Sequence, residues 1–148
     1  MEIKTFQGAA RILSNFWPVS VVYEGHVYPS VENAYQAAKT LDPSLRLPFE
    51  TYTSSQAKKA SHKLSIRPDW SDIKLEVMEG LLLQKFTPGS EFADFLDKTK
   101  DFTLTEGNSW HDNFWGNCTC GKKPACAAPG MNHLGNLLMK IRKQNRTP

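Results

Sequence analysis

The sequence lacks any apolar run long enough to span a bilayer, and its start, MEIKTFQGAARIL, has no apolar core behind basic residues. We therefore expect no secretory signal and no membrane partner, and we place the protein in the cytoplasm. Cysteine is also scarce, with three residues confined to one short segment at 118–126. An odd number of neighbouring cysteines argues against a disulfide framework in a protein that is not secreted.

Excess charge of one sign is small, because 18 Lys and Arg against 15 Asp and Glu give a net charge of +3. This balance is compatible with a phosphorylated ligand, and it neither implies nor excludes binding to DNA. Apolar residues make up 40% of the 148 residues, which is near the average for globular proteins. We predict one domain over residues 1–148 with its own core, ending in a basic, frayed tail at about 143–148.

Hydrophobic periodicity predicts a mostly helical chain with a few short antiparallel strands. Alternation on both sides of Glu24-Gly25 predicts a hairpin over residues 19–28, and Ser30 is a suitable N-cap for the helix that follows. We find no internal repeat and no regular alternation of strands and helices, so we predict an α+β fold. The predicted helices are 31–41, 54–64 (capped by Thr53 or Ser54), 69–86 (capped by Asp69), 90–98 and one from about 132; further strands are 1–6 and 102–106, and 107–131 is a loop.

The helix at 31–41 carries the strongest chemical pattern. Its apolar stripe is Val31, Ala34, Ala38 and Leu41, and its neighbouring polar stripe is Glu32, Tyr35, Gln36 and Lys39. A carboxylate near the positive end of the helix can stabilise positive charge at a sugar C1 or activate water. The amine of Lys39 can form a Schiff base with a ring-opened ribose. From the residues alone, a helix-stabilising Glu32 and a solvated Lys39 are the commoner explanation.

Two aromatic segments are further candidates. In the segment 108–116, Asp112 lies between His111 and Trp115, and it can bind ribose hydroxyls or orient water while the aromatic rings stack on a base. An aromatic anchor with Asp112 capping a turn explains that segment equally well. In LSNFWP at 13–18, the amide of Asn15 beside Phe16 can read a base edge or a hydroxyl, although a turn-stabilising Asn is the commoner role.

A basic stretch at 58–67 lies behind a Thr-Ser-Ser helix start. Lys58 and Lys63 are its candidates for binding a phosphate, and a solvated basic face is the more frequent outcome for such a run.

The cysteine segment has the pattern Cys118-x-Cys120-x5-Cys126, with His111 and His133 nearby. Three thiolates and the His111 imidazole suit tetrahedral Zn²⁺, but the spacing differs from the usual two-residue knuckle. Reduced cysteines without a metal are the alternative. We expect no redox cofactor and at most a structural zinc ion.

Several ordered motifs together resemble the NADAR family, also called YbiA-like. The matching pieces cover nearly the whole chain: LSNFWP at 13–18, YPSVENAYQAAK at 28–39, Trp70, LLLQKF at 81–86, DNFWG at 112–116 and NHLGNLLMKIR at 132–142. The family includes N-glycosidases that act on early riboflavin-pathway intermediates and enzymes that remove ADP-ribose from guanine. The loop at 118–130 departs from the family pattern, which has a short Gly-rich link there.

The resemblance implies an α+β fold of the YbiA type with a nucleotide-like pocket. It assigns the family's catalytic glutamate to Glu32 and its reactive lysine to Lys39. It also implies that further residues contribute to the pocket: Asn15, Phe16, Tyr35, Gln36, Trp70, Asp112, Trp115 and Gly116.

We therefore predict a hydrolase of N-ribosyl bonds acting on phosphorylated ribosylaminopyrimidines of riboflavin biosynthesis, with Glu32, Lys39 and Asp112 as its catalytic residues. One alternative is an ADP-ribosyl-guanine glycohydrolase acting on modified nucleic acid, and another is a non-catalytic module that binds NAD or ADP-ribose. The expected partner is a ribosyl-phosphate or ADP-ribosyl molecule, with ADP-ribosylated nucleic acid as the second possibility.

Overall fold

A computed structural model describes residues 1–147 and confirms a mixed α+β chain that is mostly helical. The α-helices are Val31–Ala37 (α1), Pro43–Arg46 (α2), Ser54–Ala60 (α3), Trp70–Lys85 (α4), Glu91–Lys98 (α5) and His133–Arg146 (α6). The strands are Glu2–Ile3 (β1), Val21–Tyr23 (β2), His26–Tyr28 (β3), Thr103–Leu104 (β4), Gly107–Asn108 (β5) and Asn117–Cys118 (β6). Short 3-10 turns occur at Gly8–Leu13, Leu47–Glu50, Ser61–Lys63 and Pro124–Cys126.

The chain forms two compact units. The first unit contains residues 1–14 and everything from Pro88 onward, and the second unit contains Asn15–Thr87. A single domain over the whole chain stays a prediction. Among residues 1–147, none of the helices has the length and apolar character that crossing a membrane requires.

In the second unit, the predicted hairpin is confirmed as the antiparallel pair β2–β3. Its turn residues Glu24 and Gly25 both have positive φ, at 46° and 83°. Two such residues give the turn whose twist matches that of the strands it joins. The following Ser30 caps α1 as predicted, because its Oγ accepts the amide of Asn33 at 3.1 Å.

Helix α1 is shorter than the predicted 31–41. Beyond Ala37, the amides of Lys39 and Thr40 bond to carbonyls three residues back, which tightens the last turn, and the Lys39 carbonyl accepts the Arg67 amide at 2.8 Å. Leu41 is therefore not in the apolar stripe; it is 61% exposed. All seven residues of α1 are buried, since α3, α4 and the hairpin pack around it.

Helices α3 and α4 follow the prediction with two corrections. Thr53 caps α3 through a capping box with Gln56, but α3 ends at Ala60 and the chain continues as a 3-10 turn. Asp69 precedes α4 without capping it, because its carboxylate pairs with the Arg67 guanidinium at 2.7 Å. The core face of α4 contains Trp70, Met78, Leu81, Leu82 and the capping residue Phe86.

In the first unit, β1 pairs with β4 and β5 pairs with β6, and both pairs are parallel. The prediction of antiparallel strands holds only for the hairpin. A tight turn forces antiparallel pairing, whereas β1 and β4 are far apart in the chain and either direction is open to them. The segment 107–131, predicted to be a loop, contributes β5, β6 and a 3-10 turn.

The basic tail is not frayed as far as Arg146, because α6 extends to that residue. The Arg146 guanidinium binds the Asp97 carboxylate of α5 at 2.7 Å, and Arg142 donates to Thr99 Oγ1 at 2.8 Å. Leu134, Leu138 and Ile141 form the buried stripe of α6. The tail is therefore held by the same helix whose apolar face packs into this unit.

Candidate active site

Helix α1 carries buried polar side chains in the second unit. Glu32 and Gln36 are 7% and 6% exposed, and the Gln36 Nε2 donates to Glu32 Oε1 at 2.8 Å. The backbone amide of Glu32 donates to the Asn15 carbonyl at 3.1 Å, which fixes Asn15 against the first turn of the helix. Glu32 and Gln36 of the predicted polar stripe are thus neighbours on α1, and their hydrogen bond holds the carboxylate in a defined orientation.

Two buried amide oxygens in this cluster have no hydrogen-bond partner among residues 1–147: Gln36 Oε1 and Asn15 Oδ1. The Gln36 amide is oriented by its bond to Glu32, because reversing it would place oxygen against oxygen. A buried acceptor without a partner costs about 1–3 kcal/mol. Native proteins keep few such groups, and each one is a candidate contact for a ligand or an ordered water.

Lys39 follows the end of α1, with its Nζ 5.5 Å from the centroid of the Tyr35 ring. Burial lowers the pKa of Lys39 below its usual value, the Glu32 carboxylate opposes this shift, and the charges of Lys74 and Lys58 add to it. A lowered pKa increases the fraction of neutral amine near neutral pH. A role for Lys39 as a nucleophile stays a prediction.

Tyr35 and Trp70 form an aromatic pair beside this lysine. Their ring centroids are 5.1 Å apart at an interplanar angle of 55°, and the two residues are 5% and 7% exposed. The Tyr35 ring of this pair places apolar surface near the amine, consistent with burial as the main cause of its lowered pKa. A contribution of Trp70 to the substrate pocket stays a prediction.

Phe16 and Lys58 lie together in the second unit. Phe16 is 41% exposed, and the Lys58 Nζ is 5.8 Å from its ring centroid. Ser54 Oγ donates to the Phe16 carbonyl at 2.9 Å and lies 3.0 Å from Ser30 Oγ, so the start of α3 is tied to the cap of α1. Lys63 is exposed in the 3-10 turn after α3. Phosphate binding by either lysine stays a prediction.

Sequence reasoning missed two residues of this cluster, Lys74 and Met78. Lys74 contributes to the lowered pKa of Lys39, and Met78 Sδ lies 3.5 Å from Asn15 Nδ2. Both follow Trp70 on α4 at intervals of four residues, so they share its face. That spacing was the available signal.

Asp112, in the first unit, uses its carboxylate to hold a turn. Its Oδ1 accepts the backbone amides of Phe114 at 3.1 Å and Trp115 at 2.9 Å, and its own amide donates to Asn108 Oδ1 at 3.1 Å. This is the capping role considered for Asp112 in the sequence. Its contact with a substrate stays a prediction.

Trp115 and Gly116 also have structural environments in the first unit. The Trp115 ring packs edge-on against Phe114, with centroids 4.8 Å apart, and lies near His133. A side chain on Gly116 would collide with the carbonyl and carboxylate of Glu106. Glycine is therefore required at 116 for close packing, and substrate binding by either residue stays a prediction.

The candidate metal ligands of the first unit converge. The ligating atoms of His111, Cys118, Cys120 and Cys126 all lie within 4.8 Å of one another. The unusual sequence spacing does not prevent this convergence.

Comparison with known proteins identifies the family and the fold. The model of the NADAR domain family matches residues 4–146. A riboflavin biosynthesis protein of Vibrio vulnificus is 35% identical over 135 residues, a match that covers 89% of this chain but 35% of the Vibrio protein. An N-glycosidase of Nostoc punctiforme is 32% identical over 139 residues, covering 90% of this chain and 84% of that protein. The NMR structure of the Escherichia coli protein YbiA matches with a TM-score of 0.78 and 27% identity, covering 97% of this chain and 83% of that one, which confirms the predicted fold.

Proposed function

Because this chain belongs to the NADAR domain family and is a hydrolase acting on N-glycosyl bonds, we propose that it cleaves the bond between ribose and amine in phosphorylated ribosylaminopyrimidines of riboflavin biosynthesis. The name of the Vibrio vulnificus relative supports this substrate class, although the chain spans about a third of that protein. The alternative substrate is ADP-ribosylated guanine in nucleic acid, with which the net charge of +3 is compatible.

The observation that carries the proposal is the set of buried oxygens around Glu32. As the C–N bond breaks, positive charge develops at C1 of the ribose. A carboxylate held in place by Gln36 is suited to stabilise that charge and to accept a proton from the attacking water. The oxygens of Gln36 and Asn15 that have no partner are acceptors for ribose hydroxyls or for the substrate's amine.

Lys39 has a second role in the proposed reaction. Its neutral amine attacks C1 of the opened sugar, a new C1–N bond forms, and the substrate's amine leaves with a proton. Water directed by Glu32 then adds to C1 and breaks the bond to Lys39, which returns the free amine and the ribose aldehyde. The lowered pKa of Lys39 supports this role, because only the neutral amine is nucleophilic.

The decisive experiment offers the purified chain both substrates in parallel and follows base release by mass spectrometry. We expect release from the ribosylaminopyrimidine, loss of release in Glu32→Gln, and retention of release in Glu76→Gln, which changes an exposed carboxylate on α4. Near-normal turnover by Glu32→Gln would overturn the catalytic assignment. Release from ADP-ribosylated DNA alone would transfer the proposal to that substrate, and no release from either would favour a binding module.

A further inference from the structure

One ring nitrogen and three sulfur atoms lie close together in the first unit. His111 Nδ1 lies 3.8 Å from Cys118 Sγ, 3.4 Å from Cys120 Sγ and 3.7 Å from Cys126 Sγ. All four atoms are within 4.8 Å of one another. A ring nitrogen has either one proton or one lone pair, so hydrogen bonding alone does not explain three sulfur neighbours.

A tetrahedral zinc ion explains these spacings. Bonds of about 2.3 Å to sulfur and about 2.1 Å to nitrogen place a nitrogen ligand about 3.6 Å from each sulfur ligand. The three observed N–S separations lie on both sides of that value. The same geometry separates two sulfur ligands by about 3.8 Å, which is within the observed limit.

The surrounding backbone is arranged around the sulfurs. The Cys120 amide donates to Cys118 Sγ at 3.4 Å, and the Lys122 amide donates to Cys120 Sγ at 3.3 Å. Asn113 Nδ2 lies 3.4 Å from Cys126 Sγ. Each sulfur therefore accepts an N–H group, the kind of outer contact that orients metal ligands.

His111 adopts a backbone conformation that is uncommon for residues other than glycine. Its φ is 70°, in the left-handed region. Such a conformation persists only where the surroundings impose it, and here it accompanies the approach of the imidazole to the three sulfurs.

We propose that His111, Cys118, Cys120 and Cys126 bind a structural Zn²⁺ ion. Three thiolates and one imidazole are a donor set that zinc prefers, and four protein ligands complete its tetrahedral coordination. A closed site of this kind stabilises the fold and leaves no position for substrate.

The site braces the turn that contains Asp112. Asn113, the next residue, contacts Cys126 Sγ, and its Oδ1 accepts the Cys118 amide at 2.9 Å. Its backbone carbonyl accepts the Met131 amide at 2.8 Å, which ties the two ends of the cysteine loop to the same residue. Loss of zinc should therefore loosen the turn in which Asp112 caps Phe114 and Trp115.

The test is the metal content of the full chain, purified under reducing conditions without chelator or metal-affinity resin, measured by inductively coupled plasma mass spectrometry. We expect about one zinc ion per chain and thiols that alkylate only after chelation. His111→Asn and Cys120→Ser should lower the zinc content, and His62→Asn, which changes an exposed histidine of the second unit, should leave it unchanged.

A second measurement avoids dependence on variants that fail to fold. After zinc removal and addition of Co²⁺ to the unaltered chain, a tetrahedral thiolate site gives intense visible absorption and a higher Tm than the metal-free chain. The proposal is overturned if the purified chain holds less than about a tenth of a zinc ion and gives no cobalt spectrum. It is also overturned by a disulfide in the intact mass of the purified chain, or by equal zinc content in His111→Asn and His62→Asn.

Discussion

The two compact units use their polar side chains differently. In the second unit, Glu32, Gln36 and Asn15 are buried, and two of their oxygens have no partner. In the first unit, Asp112 and Asn113 direct their side chains to backbone amides and to a sulfur. Incompletely paired buried groups are costly for folding and useful for binding, whereas fully paired groups stabilise a turn. This comparison favours a ligand-binding role for the buried oxygens of the second unit and a structural role for the Asp112 carboxylate in the first.

The largest expected effect follows from Glu32→Gln. We expect kcat to fall by roughly 10²–10⁴-fold, because the variant retains the hydrogen-bonding shape of the side chain but removes its charge and its basicity. Steady-state kinetics with Glu76→Gln as the matched control measures the difference. If both variants lost activity equally, the distinction between a buried and an exposed carboxylate would carry no meaning for catalysis.

Substitutions of Asp112 test whether its carboxylate has a structural role. Asp112→Ala removes the acceptor of two backbone amides, and we expect it to lower the free energy of unfolding by about 1–3 kcal/mol. Asp112→Asn retains an acceptor oxygen and should cost less, as urea denaturation will show. Normal stability with a large loss of kcat in Asp112→Asn would instead support the predicted catalytic role of Asp112.

Asn15 tests the cost of a buried acceptor that has no partner. Asn15→Leu loses the weak contact with Met78, but it also removes the energetic cost of burying an oxygen that has no hydrogen-bond partner. We expect unfolding free energy to stay equal or to rise by about 1 kcal/mol, while KM increases. A clear loss of stability without any change in KM would contradict a ligand-binding role for this amide.

The smallest expected effect is a shift in the pH profile. Because burial and the charges of Lys74 and Lys58 lower the pKa of Lys39, its neutral form is reached at lower pH than for an exposed lysine, and kcat/KM should rise as pH increases through that pKa. Lys74→Met removes one of the lowering charges and should move this rise to higher pH. Lys59→Met, which changes an exposed lysine, is the control. Profiles that coincide for both variants would exclude Lys39 as the group that titrates.

Local elements were largely predictable from the sequence. The Glu24-Gly25 hairpin and the Ser30 cap depend on neighbouring residues, so they are as predicted. The predicted end of α1 was wrong because the Lys39 carbonyl accepts a hydrogen bond from the amide of Arg67, 28 positions later in the chain. The prediction that Asp69 caps α4 was wrong because its carboxylate forms an ion pair with Arg67 instead.

Lys85 shows a limit of pattern reading in the second unit. In LLLQKF it is an ordinary lysine by sequence, yet the structure leaves it 1% exposed, and burial lowers its pKa to about 7. Periodicity assigns a residue to a face of a helix, but the depth of burial depends on what packs there.

The sequence by itself determined the helical polar stripe and, through its ordered motifs, the family. A spacing of four residues places Glu32 and Gln36 together on one face of any helix, whatever surrounds it. Only the tertiary structure decided that their side chains are buried and that the charge of Lys74 lowers the pKa of Lys39. It also brings the His111 ring nitrogen close to the three cysteine sulfurs. These properties depend on contacts between residues distant in the chain, which a local pattern does not encode.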